Sequence, residues 1–373
     1  MPPRDANTVV YVMALDAGGH RLAYVAAVVE AASAAGCRSV LLTLPEVSSA
    51  AEFQTHLGEL KNNGVLEIVT DNGLRDARGR SEILRRLRRQ GASLIVPDSD
   101  KFLVEGLLAK VVGRLPRRTS LVVMRPPAAS WRNPRALIVA VVKVTVLLAL
   151  KCFRGSVSVN LLEDPLAQGN HRVWKSWRAS LGTRIDDPAD LAGDRPTAPD
   201  ELATLSSAEP IIAVVGSIDA RKNLPLILEA WSVRDRSTRA TLAVAGRIAP
   251  EVHAAVDGEI AMLDDVCVID RYLSNDEMLG IVERAAAILV LYDGGLSSGV
   301  LVMCASTGRW VICAHGTRTL AVAARHGFAF STELSAEALA HAMSLAVQQA
   351  VPPSPVKLAG RAEFGAQLVE SAR

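Results

Sequence analysis

Residues 287–314 read AILVLYDGGLSSGVLVMCASTGRWVICA, and this stretch decides the fold class. Its two ends, 287–292 and 310–314, are short runs of aliphatic and aromatic residues, which is the composition of buried β-strands. Between them a loop rich in glycine and serine precedes an apolar helical run. A strand, a helix and a second strand in this order are typical of α/β proteins with a parallel sheet.

The same alternation of short apolar runs and helical patterns repeats along most of the chain. In the first half, the strand candidates are 8–15, 39–44, 66–70, 93–98, 120–125 and 156–162. In the second half, they are 211–217, 241–246, 266–270, 287–292 and 310–314. An alanine-rich helix ending at Gly36 separates the first two strands, as expected for a glycine C-cap. These two series predict two doubly wound α/β domains.

The domain organisation follows from the length and from one change in composition. The chain has 373 residues, more than one hydrophobic core usually supports. Residues 184–209 are rich in Asp, Pro, Gly and Ala without periodicity, which indicates a linker. We therefore predict domains at 1–183 and 210–350. We also predict a final helix within 351–373, and packing against the N-terminal domain is one option for it. Ligands are expected at the carboxyl ends of the strands, in a cleft where the two domains face each other.

The composition excludes several classes of protein. A net charge of +2 gives no support for nucleic-acid binding. The five cysteines form no CxxC pair, which indicates a reducing compartment and no metal site. The opening residues do not form a signal peptide, so we expect a cytoplasmic protein.

Two segments raise the question of a further partner. Residues 136–150 are apolar except for Lys143, but they are fewer than the roughly 20 residues that a membrane span requires. A buried helix or strand–helix edge is the main expectation, and a peripheral contact with a membrane surface is the alternative. Residues 75–89 form an arginine-dense helix, expected as a solvated face, with an anionic partner as the alternative.

The loop at 16–20 (DAGGH) follows the first strand and opens a helix. Gly18 and Gly19 let the backbone approach a ligand closely, and the helix N-terminus then offers N–H groups to an anion. His20 is a candidate donor to a phosphate or a sugar hydroxyl, with helix capping as the alternative. The GxGxxG spacing is absent, so a dinucleotide site is not predicted. Asp16 and His20 are our candidate binding residues in the first domain.

Two later loops have the composition of a phosphate site. The loop 216–223 (GSIDARKN) carries Arg221 and Lys222 just after a strand. Two cations at this position suit a diphosphate, although solvated surface charges are the alternative. The loop 293–299 (DGGLSSG) places small side chains at a helix start, which leaves backbone N–H groups accessible to phosphate oxygens.

The second half of the chain resembles the nucleotide-sugar-binding domain of GT-B glycosyltransferases. The likeness is to the retaining group related to glycogen and sucrose-phosphate synthases (family 4-like). In that group a strand ending in glycine is followed shortly by a lysine, matched here by Gly216 and Lys222. A second strand ends in Ala-Gly, as at 245–246, and the later strand, loop, helix, glycine and strand are matched by 287–314. The resemblance covers nearly the whole chain and is strongest from 211 to 345.

The resemblance implies a role for each matching residue in the phosphate site. Lys222 would bind the donor diphosphate, beside Gly216 and Ser217. The usual partner arginine falls at Ser217, and Arg221 is the candidate substitute. The phosphate-facing backbone would be formed by Ser297, Ser298 and Gly299.

The chain departs from the resemblance at two positions. The family glutamates that contact the donor sugar and the ribose fall at Gly295 and Met303, and neither residue is acidic. Asp293 is a candidate replacement for the first. Methionine accepts no useful hydrogen bond from a ribose hydroxyl, so the second function has no replacement. The paired glutamate motif is therefore degenerate.

The resemblance implies glycosyl transfer from a nucleotide-diphosphate sugar, with UDP- or GDP-sugars expected, to a sugar, glycan or small-molecule acceptor. Retention of anomeric configuration is expected, with no metal and no tightly bound cofactor. Lys222, Arg221, His20 and Asp293 are the candidate catalytic residues. Asp98 and Asp100 have the spacing of a metal-binding pair but lie in the acceptor-side half.

Two other functions remain open from the sequence. The missing glutamates favour a catalytically degenerate GT-B protein that binds a ligand or serves as a partner or scaffold subunit. An enzyme of the same fold that uses a cyclitol acceptor or epimerises a nucleotide-sugar is the third option.

Overall fold

The computed structural model describes most of the chain in two compact units. The described residues are 8–18, 21–124, 134–152, 157–163, 166, 180–188, 197–203, 209–237, 239–292, 298–349, 351–358 and 360–372. Unit 1 comprises 1–164, 168–191 and 359–373. Unit 2 comprises 165–167 and 192–358.

Unit 1 is built on a parallel sheet of seven strands in the order β3-β2-β1-β4-β5-β6-β7. The strands are β1 (Val9–Ala14), β2 (Arg38–Thr43), β3 (Leu66–Thr70), β4 (Ser93–Val96), β5 (Arg118–Val123), β6 (Val157–Glu163) and β7 (Thr183–Asp186). The chain begins at the middle of the sheet, moves outward to β3, and then returns to place β4 beside β1. The strand order therefore reverses between β1 and β4.

The helices of unit 1 lie in two layers. They are α1 (Arg21–Ala34), α2 (Pro45–Ser48), α3 (Ala51–Asn62), α4 (Ala77–Arg89), α5 (Leu103–Val111), α6 (Pro134–Cys152) and, from the end of the chain, α14 (Arg361–Ser371). Right-handed crossovers in the two directions put α1 and α3 on one face of the sheet and α4, α5 and α6 on the other. The contacts agree, because α1 touches α3 and α14, whereas α5 touches α4 and α6.

Unit 2 has a parallel sheet of six strands in the order β10-β9-β8-β11-β12-β13. The strands are β8 (Ile211–Val215), β9 (Thr241–Ala245), β10 (Val266–Ile269), β11 (Ala285–Val290), β12 (Trp310–Ala314) and β13 (Ala329–Thr332). The helices are α7 (Asp200–Ala203), α8 (Leu224–Val233), α9 (Pro250–Ile260), α10 (Asn275–Arg284), α11 (Gly299–Thr307), α12 (Arg318–Arg325) and α13 (Ala336–Gln348). Here the order reverses between β8 and β11. The predicted fold class of two doubly wound, parallel α/β domains is confirmed.

Two edge strands differ from the sequence expectation. β7 pairs with β6 from Asn160 opposite Thr183, so residues 184–186, assigned to the linker, belong to the sheet of unit 1. β13 pairs with β12 in unit 2. Both strands are short and carry polar residues, and in β7 only Ile185 is buried in the core. A strand with one apolar residue has no hydrophobic pattern to detect.

The apolar segment 136–150 forms most of helix α6, which is buried along one side only. Ala140, Val146, Leu147 and Leu150 are buried, and residues on the opposite side are exposed. The expectation of a buried segment therefore holds for one side of the helix. Within the described residues, no helix combines the length and apolar character needed to span a bilayer.

The C-terminal helix α14 packs closely on α1 at a glycine. A Cβ placed on Gly365 would lie 2.2 Å from the backbone oxygen of Ala27, so only glycine permits this crossing. Tyr24 and Phe364 stack nearby with their ring centroids 5.2 Å apart. The last helix thus completes the core of the first unit.

We predict that Gly365→Val destabilises unit 1 by about 2–4 kcal/mol, because the added side chain forces α14 away from α1. Ala366→Val, at an exposed position of the same helix, is the matched control and is expected to change stability by less than about 1 kcal/mol. Urea unfolding followed by circular dichroism measures both. Equal effects of the two substitutions would contradict the close crossing.

Candidate functional site

The reversal of strand order in unit 2 forms a crevice at the carboxyl ends of β8 and β11. The helices that follow these two strands lie on opposite faces of the sheet, so the loops between strand and helix diverge there. In open parallel sheets this crevice is where ligands bind. The loops 216–223 and 293–299, chosen from the sequence, follow β8 and β11 respectively.

The loop after β8 is held against the loop after β9. Gly216 has φ +89° and donates its N–H to the oxygen of Ala245 at 3.0 Å. Gly246 has φ +132°, and a Cβ at that position would lie 2.1 Å from the oxygen of Gly216. Ile218 donates its N–H to the oxygen of Arg247 at 2.9 Å. Both glycines are required because the two loops run nearly in contact.

A short 3-10 turn, Ala220–Lys222, then leads into helix α8. The side chain of Asp219 accepts the N–H of Arg221 at 3.0 Å and begins the turn. Asn223 ends it with φ 53°, a left-handed conformation that asparagine tolerates better than most residues. The turn therefore fixes the direction in which Lys222 leaves the backbone.

The side chain of Lys222 points into the protein. It is 7% exposed, and its Nζ donates to the oxygen of Val215 at 3.0 Å. The ammonium also lies 4.4 Å from the centre of the Tyr292 ring, a cation–π contact. Burial lowers the pKa of Lys222 from 10.5 to about 8. The nearby carboxylate of Asp219 only partly offsets this effect.

Tyr292 connects the lysine to the start of helix α11. Its hydroxyl lies 2.9 Å from the Oγ of Ser298, and its backbone oxygen accepts a hydrogen bond from Thr319 at 2.9 Å. Ser298 is the N-cap of α11 and accepts the N–H of Leu301 at 3.4 Å. Lys222, Tyr292 and Ser298 therefore form one continuous set of contacts between the loops after β8 and β11.

Arg221 and Ser217 lie on the outer side of the β8 loop. Both are exposed, and the guanidinium of Arg221 is paired with Asp219 at 2.7 Å. This hydrogen bond raises the pKa of Arg221 and lowers that of Asp219. The two adjacent cations predicted from the sequence thus point in different directions. Arg221 faces solvent, and Lys222 faces the core.

Several candidate residues fall outside the described part of the chain. They are Gly19, His20, Asp293, Gly295 and Ser297. Met303, where the resemblance placed a ribose-binding glutamate, is described and is 3% exposed within α11.

Unit 1 has its own crevice at the reversal between β1 and β4. Asp16 follows β1 and accepts the N–H of Gly18 at 3.0 Å. Arg21, at the start of α1, contacts Asp16 at 3.2 Å and also pairs with Asp98, which follows β4. The Gly18 N–H lowers the pKa of Asp16, and the charges of Arg21 and Lys101 lower it further. These charged side chains line a pocket whose remaining walls are mainly apolar.

Both aspartates of the Asp98-Ser99-Asp100 sequence form ion pairs with basic side chains. Asp98 pairs with Arg21, and Asp100 with Lys143 at 3.0 Å. Ser99 binds back to the oxygen of Val122. Within the described residues, no three His, Cys, Asp or Glu side chains converge in a metal-binding arrangement.

Sequence reasoning missed one residue of each site and one buried hydrogen bond of unit 1. Arg21 directly follows the DAGGH loop. A basic side chain at the start of a helix could have been recognised from the sequence as a possible part of the site. Tyr292 ends the β11 run, but its contact with Lys222 requires knowledge of the strand order. Tyr24 donates a buried hydrogen bond to Asp187 at 2.6 Å, which links residues far apart in the chain.

Comparisons with known proteins identify the fold. No family model matches the chain, and no curated protein matches it. Among solved structures, the sucrose-phosphate synthase of Thermosynechococcus elongatus matches with a TM-score of 0.57 and 14% identity, over 98% of this chain and 94% of that one. HepE from Anabaena, in complex with UDP-glucose, matches with 0.58 and 11%, over 98% and 97%. The UDP-GlcNAc 2-epimerase of Methanocaldococcus jannaschii matches with 0.62 and 10%, over 98% of both.

The chain has the GT-B fold. Its two Rossmann-like units, with parallel sheets of seven and six strands, correspond to that architecture over almost the whole length. The low identities carry no residue-level correspondence, so the chemistry must be argued from the geometry of this chain.

We predict that Lys222→Met raises the free energy of unfolding of unit 2 at pH 7. The lowered pKa means that burying the ammonium costs up to roughly 3 kcal/mol, which methionine avoids. The variant also loses the hydrogen bond to Val215, so its net gain in stability is about 1–2 kcal/mol. Between about pH 8 and pH 10.5 the folded lysine is neutral while the unfolded chain stays protonated. The stability of the wild type therefore rises with pH across this window, and the advantage of the variant declines.

Urea unfolding from pH 6.5 to 10.5 measures this difference. Lys357→Met, at an exposed position of unit 2, is the control, and its effect is expected to be small and independent of pH. A loss of stability in Lys222→Met that is the same at every pH would contradict the buried ammonium.

Proposed function

We propose that the protein transfers a glycosyl group from a nucleotide-diphosphate sugar to an acceptor with a free hydroxyl group. The observation that supports this most strongly is the crevice of unit 2, where Lys222, Tyr292 and the N-cap Ser298 meet between two strand ends. A lysine buried at such a position costs stability, which is expected of a residue kept for function. The fold is one in which HepE, a distant structural neighbour, holds UDP-glucose.

The donor diphosphate would lie between the β8 loop and the start of α11. Gly216 and Ser217 would contribute backbone on one side, and Ser297, Ser298 and Gly299 would contribute N–H groups on the other. Lys222 would exchange its bond to Val215 for a phosphate oxygen, a short movement within the same crevice. The phosphate charge would restore the solvation that the ammonium lacks and raise its pKa.

Transfer would proceed with retention of anomeric configuration and without a metal ion. The bond between the anomeric carbon and the β-phosphate oxygen breaks as the acceptor oxygen attacks from the same face. The departing phosphate oxygen takes the acceptor proton, so no protein nucleophile is needed. Lys222 and the amides of the α11 start would stabilise the charge that develops on the diphosphate. Arg221 would contribute once released from Asp219, and Asp293 would contact the donor sugar.

The acceptor would be bound by unit 1. Asp16 and Gly18 lie at the reversal of that sheet, and Arg21, itself paired with Asp98, contacts both of them. Gly19 would contribute its backbone to the same acceptor site. His20 is the candidate donor to an acceptor hydroxyl. Carboxylates and amides at this edge suit a hydroxyl-rich acceptor, because sugar hydroxyls both donate and accept hydrogen bonds.

A degenerate, non-catalytic binding protein is the second candidate, and Met303 is the observation that favours it. The position expected to bind the ribose holds a methionine instead of a carboxylate, and its side chain is buried in α11. We expect ribose binding through backbone groups instead, with weakened affinity for the nucleotide. Isothermal titration with UDP and GDP tests the catalytic candidate, because a catalytic donor site must bind at least one of them. Turnover of the nucleotide-sugar then separates a catalyst from a protein that only binds.

We predict that Lys222→Ala reduces turnover with the best nucleotide-sugar by about 100-fold or more, the usual cost of removing one preorganised donor in the transition state. Release of nucleoside diphosphate measures this rate, and product analysis distinguishes transfer from epimerisation. Lys357→Ala is the control and is expected to leave turnover unchanged. Unchanged turnover in Lys222→Ala would remove the lysine from the donor site.

A further inference from the structure

The outer face of helices α5 and α6 carries an unusual concentration of exposed apolar side chains. Of the fifteen large apolar residues that are exposed in the described part of the chain, nine lie on these two helices or at the end of α5. They are Val104, Leu108, Val111, Val112, Ile138, Val139, Val141, Val142 and Leu148. On a soluble surface these positions are ordinarily charged or polar, so this patch requires an explanation.

The exposed residues form continuous stripes along their helices. On α5 they recur at the three- and four-residue spacing of a single helical face, from Val104 to Val111. On α6, Thr145 is the only polar residue at an exposed position from Ile138 to Leu148. The one lysine in this part of α6, Lys143, turns inward to Asp100. Because α5 and α6 are adjacent on the same face of the sheet, the two stripes share one surface.

A group of arginines borders the apolar surface at the end of α5. An open pocket there is lined by Arg85, Arg88, Arg89, Val112, Gly113, Arg114 and Arg117. Val112 belongs both to this lining and to the apolar stripe, so the basic and apolar regions are continuous. In the described part of the chain, the ion pairs of these arginines are limited to the one between Arg85 and Glu82.

The arginines are positioned by the fold and keep their charge available. Arg88 donates to the backbone oxygen of Leu115 at 3.2 Å, and Arg114 donates to the Oγ of Ser81 at 2.7 Å. Both partners are neutral, so these bonds orient the guanidinium groups without neutralising them. Arg89 and Arg117 are exposed at the rim. The surface thus combines fixed positive charge with a broad apolar face.

We propose that the α5–α6 surface, together with its arginine pocket, binds the surface of an anionic phospholipid bilayer. The guanidinium groups would bind lipid phosphates, and the apolar stripes would enter the boundary between headgroups and acyl chains. Neither contribution alone anchors a protein stably, but a basic cluster beside an apolar face supplies both.

Charge favours a lipid surface over a second copy of this chain. An isologous dimer through this face would bring two arginine groups into one interface, with Glu82 the carboxylate that offsets them. An anionic bilayer neutralises the whole group while accepting the apolar side chains. The proposal concerns unit 1 and does not depend on the donor site proposed for unit 2.

Vesicle flotation tests the proposal with the full-length protein. We expect binding to mixed phosphatidylcholine and phosphatidylglycerol vesicles, little binding to pure phosphatidylcholine, and weaker binding as salt is raised. The double variant Leu108→Glu/Val142→Glu is expected to lose binding. The double variant Arg89→Gln/Arg117→Gln is expected to bind about 25-fold more weakly, at about fivefold for each arginine.

Matched controls lie on unit 2. Val233→Glu/Met262→Glu changes two exposed apolar residues, and Arg236→Gln/Arg239→Gln changes two exposed arginines. Both controls are expected to bind vesicles as the wild type does. All variants are first compared by circular dichroism and by UDP titration, which reads the donor site separately.

Three results would overturn the proposal. The first is a wild-type protein that binds neither type of vesicle. The second is an equal loss of binding in the control variants. The third is a wild-type dimer in light scattering that Leu108→Glu/Val142→Glu dissociates without any vesicle binding, which would assign the surface to a second copy. Failure of UDP binding would contradict the proposed function but leave the vesicle result standing.

Discussion

The reversal of strand order between β8 and β11 is the constraint on which the second unit depends. It opens the sheet edge at one place and directs two loops apart, so that a side chain from one loop can contact the other. Lys222 crosses this gap and rests on the ring of Tyr292. The tight approach of Gly246 to Gly216 holds the β8 loop in the position that makes this contact. The first unit repeats the arrangement with Arg21 between Asp16 and Asp98.

Burying Lys222 lowers the stability of the fold but makes the site suitable for binding an anion. Its ammonium is buried with one backbone oxygen and one aromatic face as partners, and this burial lowers its pKa to about 8. An apolar residue would be more stable there. A site that holds a poorly solvated ammonium group beside a helix N-terminus is suited to an anion. The anion would form the ion pair and hydrogen bonds that the ammonium lacks in the free protein.

The sequence allowed the strands and the fold class to be predicted, but not the side-chain contacts within the sites. Residues 66–70 and 310–314 were predicted as strands with the observed bounds. The run 310–314 is apolar throughout, and 66–70 carries three aliphatic residues in five positions. The edge strand 183–186 was missed because it carries a single buried residue. The inward direction of Lys222 could not be predicted, because it depends on Tyr292, which is distant in sequence and adjacent only through the strand order. The sequence also could not show which side of α6 is exposed, because residues 136–150 are apolar on every side of the helix except at Lys143 and Thr145.

A crystal structure of the protein with UDP tests the central claim most directly. The account predicts the diphosphate in the crevice between the loop after β8 and the start of α11. It also predicts that the Nζ of Lys222 has left the oxygen of Val215 to contact a phosphate oxygen. A nucleotide bound elsewhere, or a diphosphate in this crevice with Lys222 still on Val215, would contradict it.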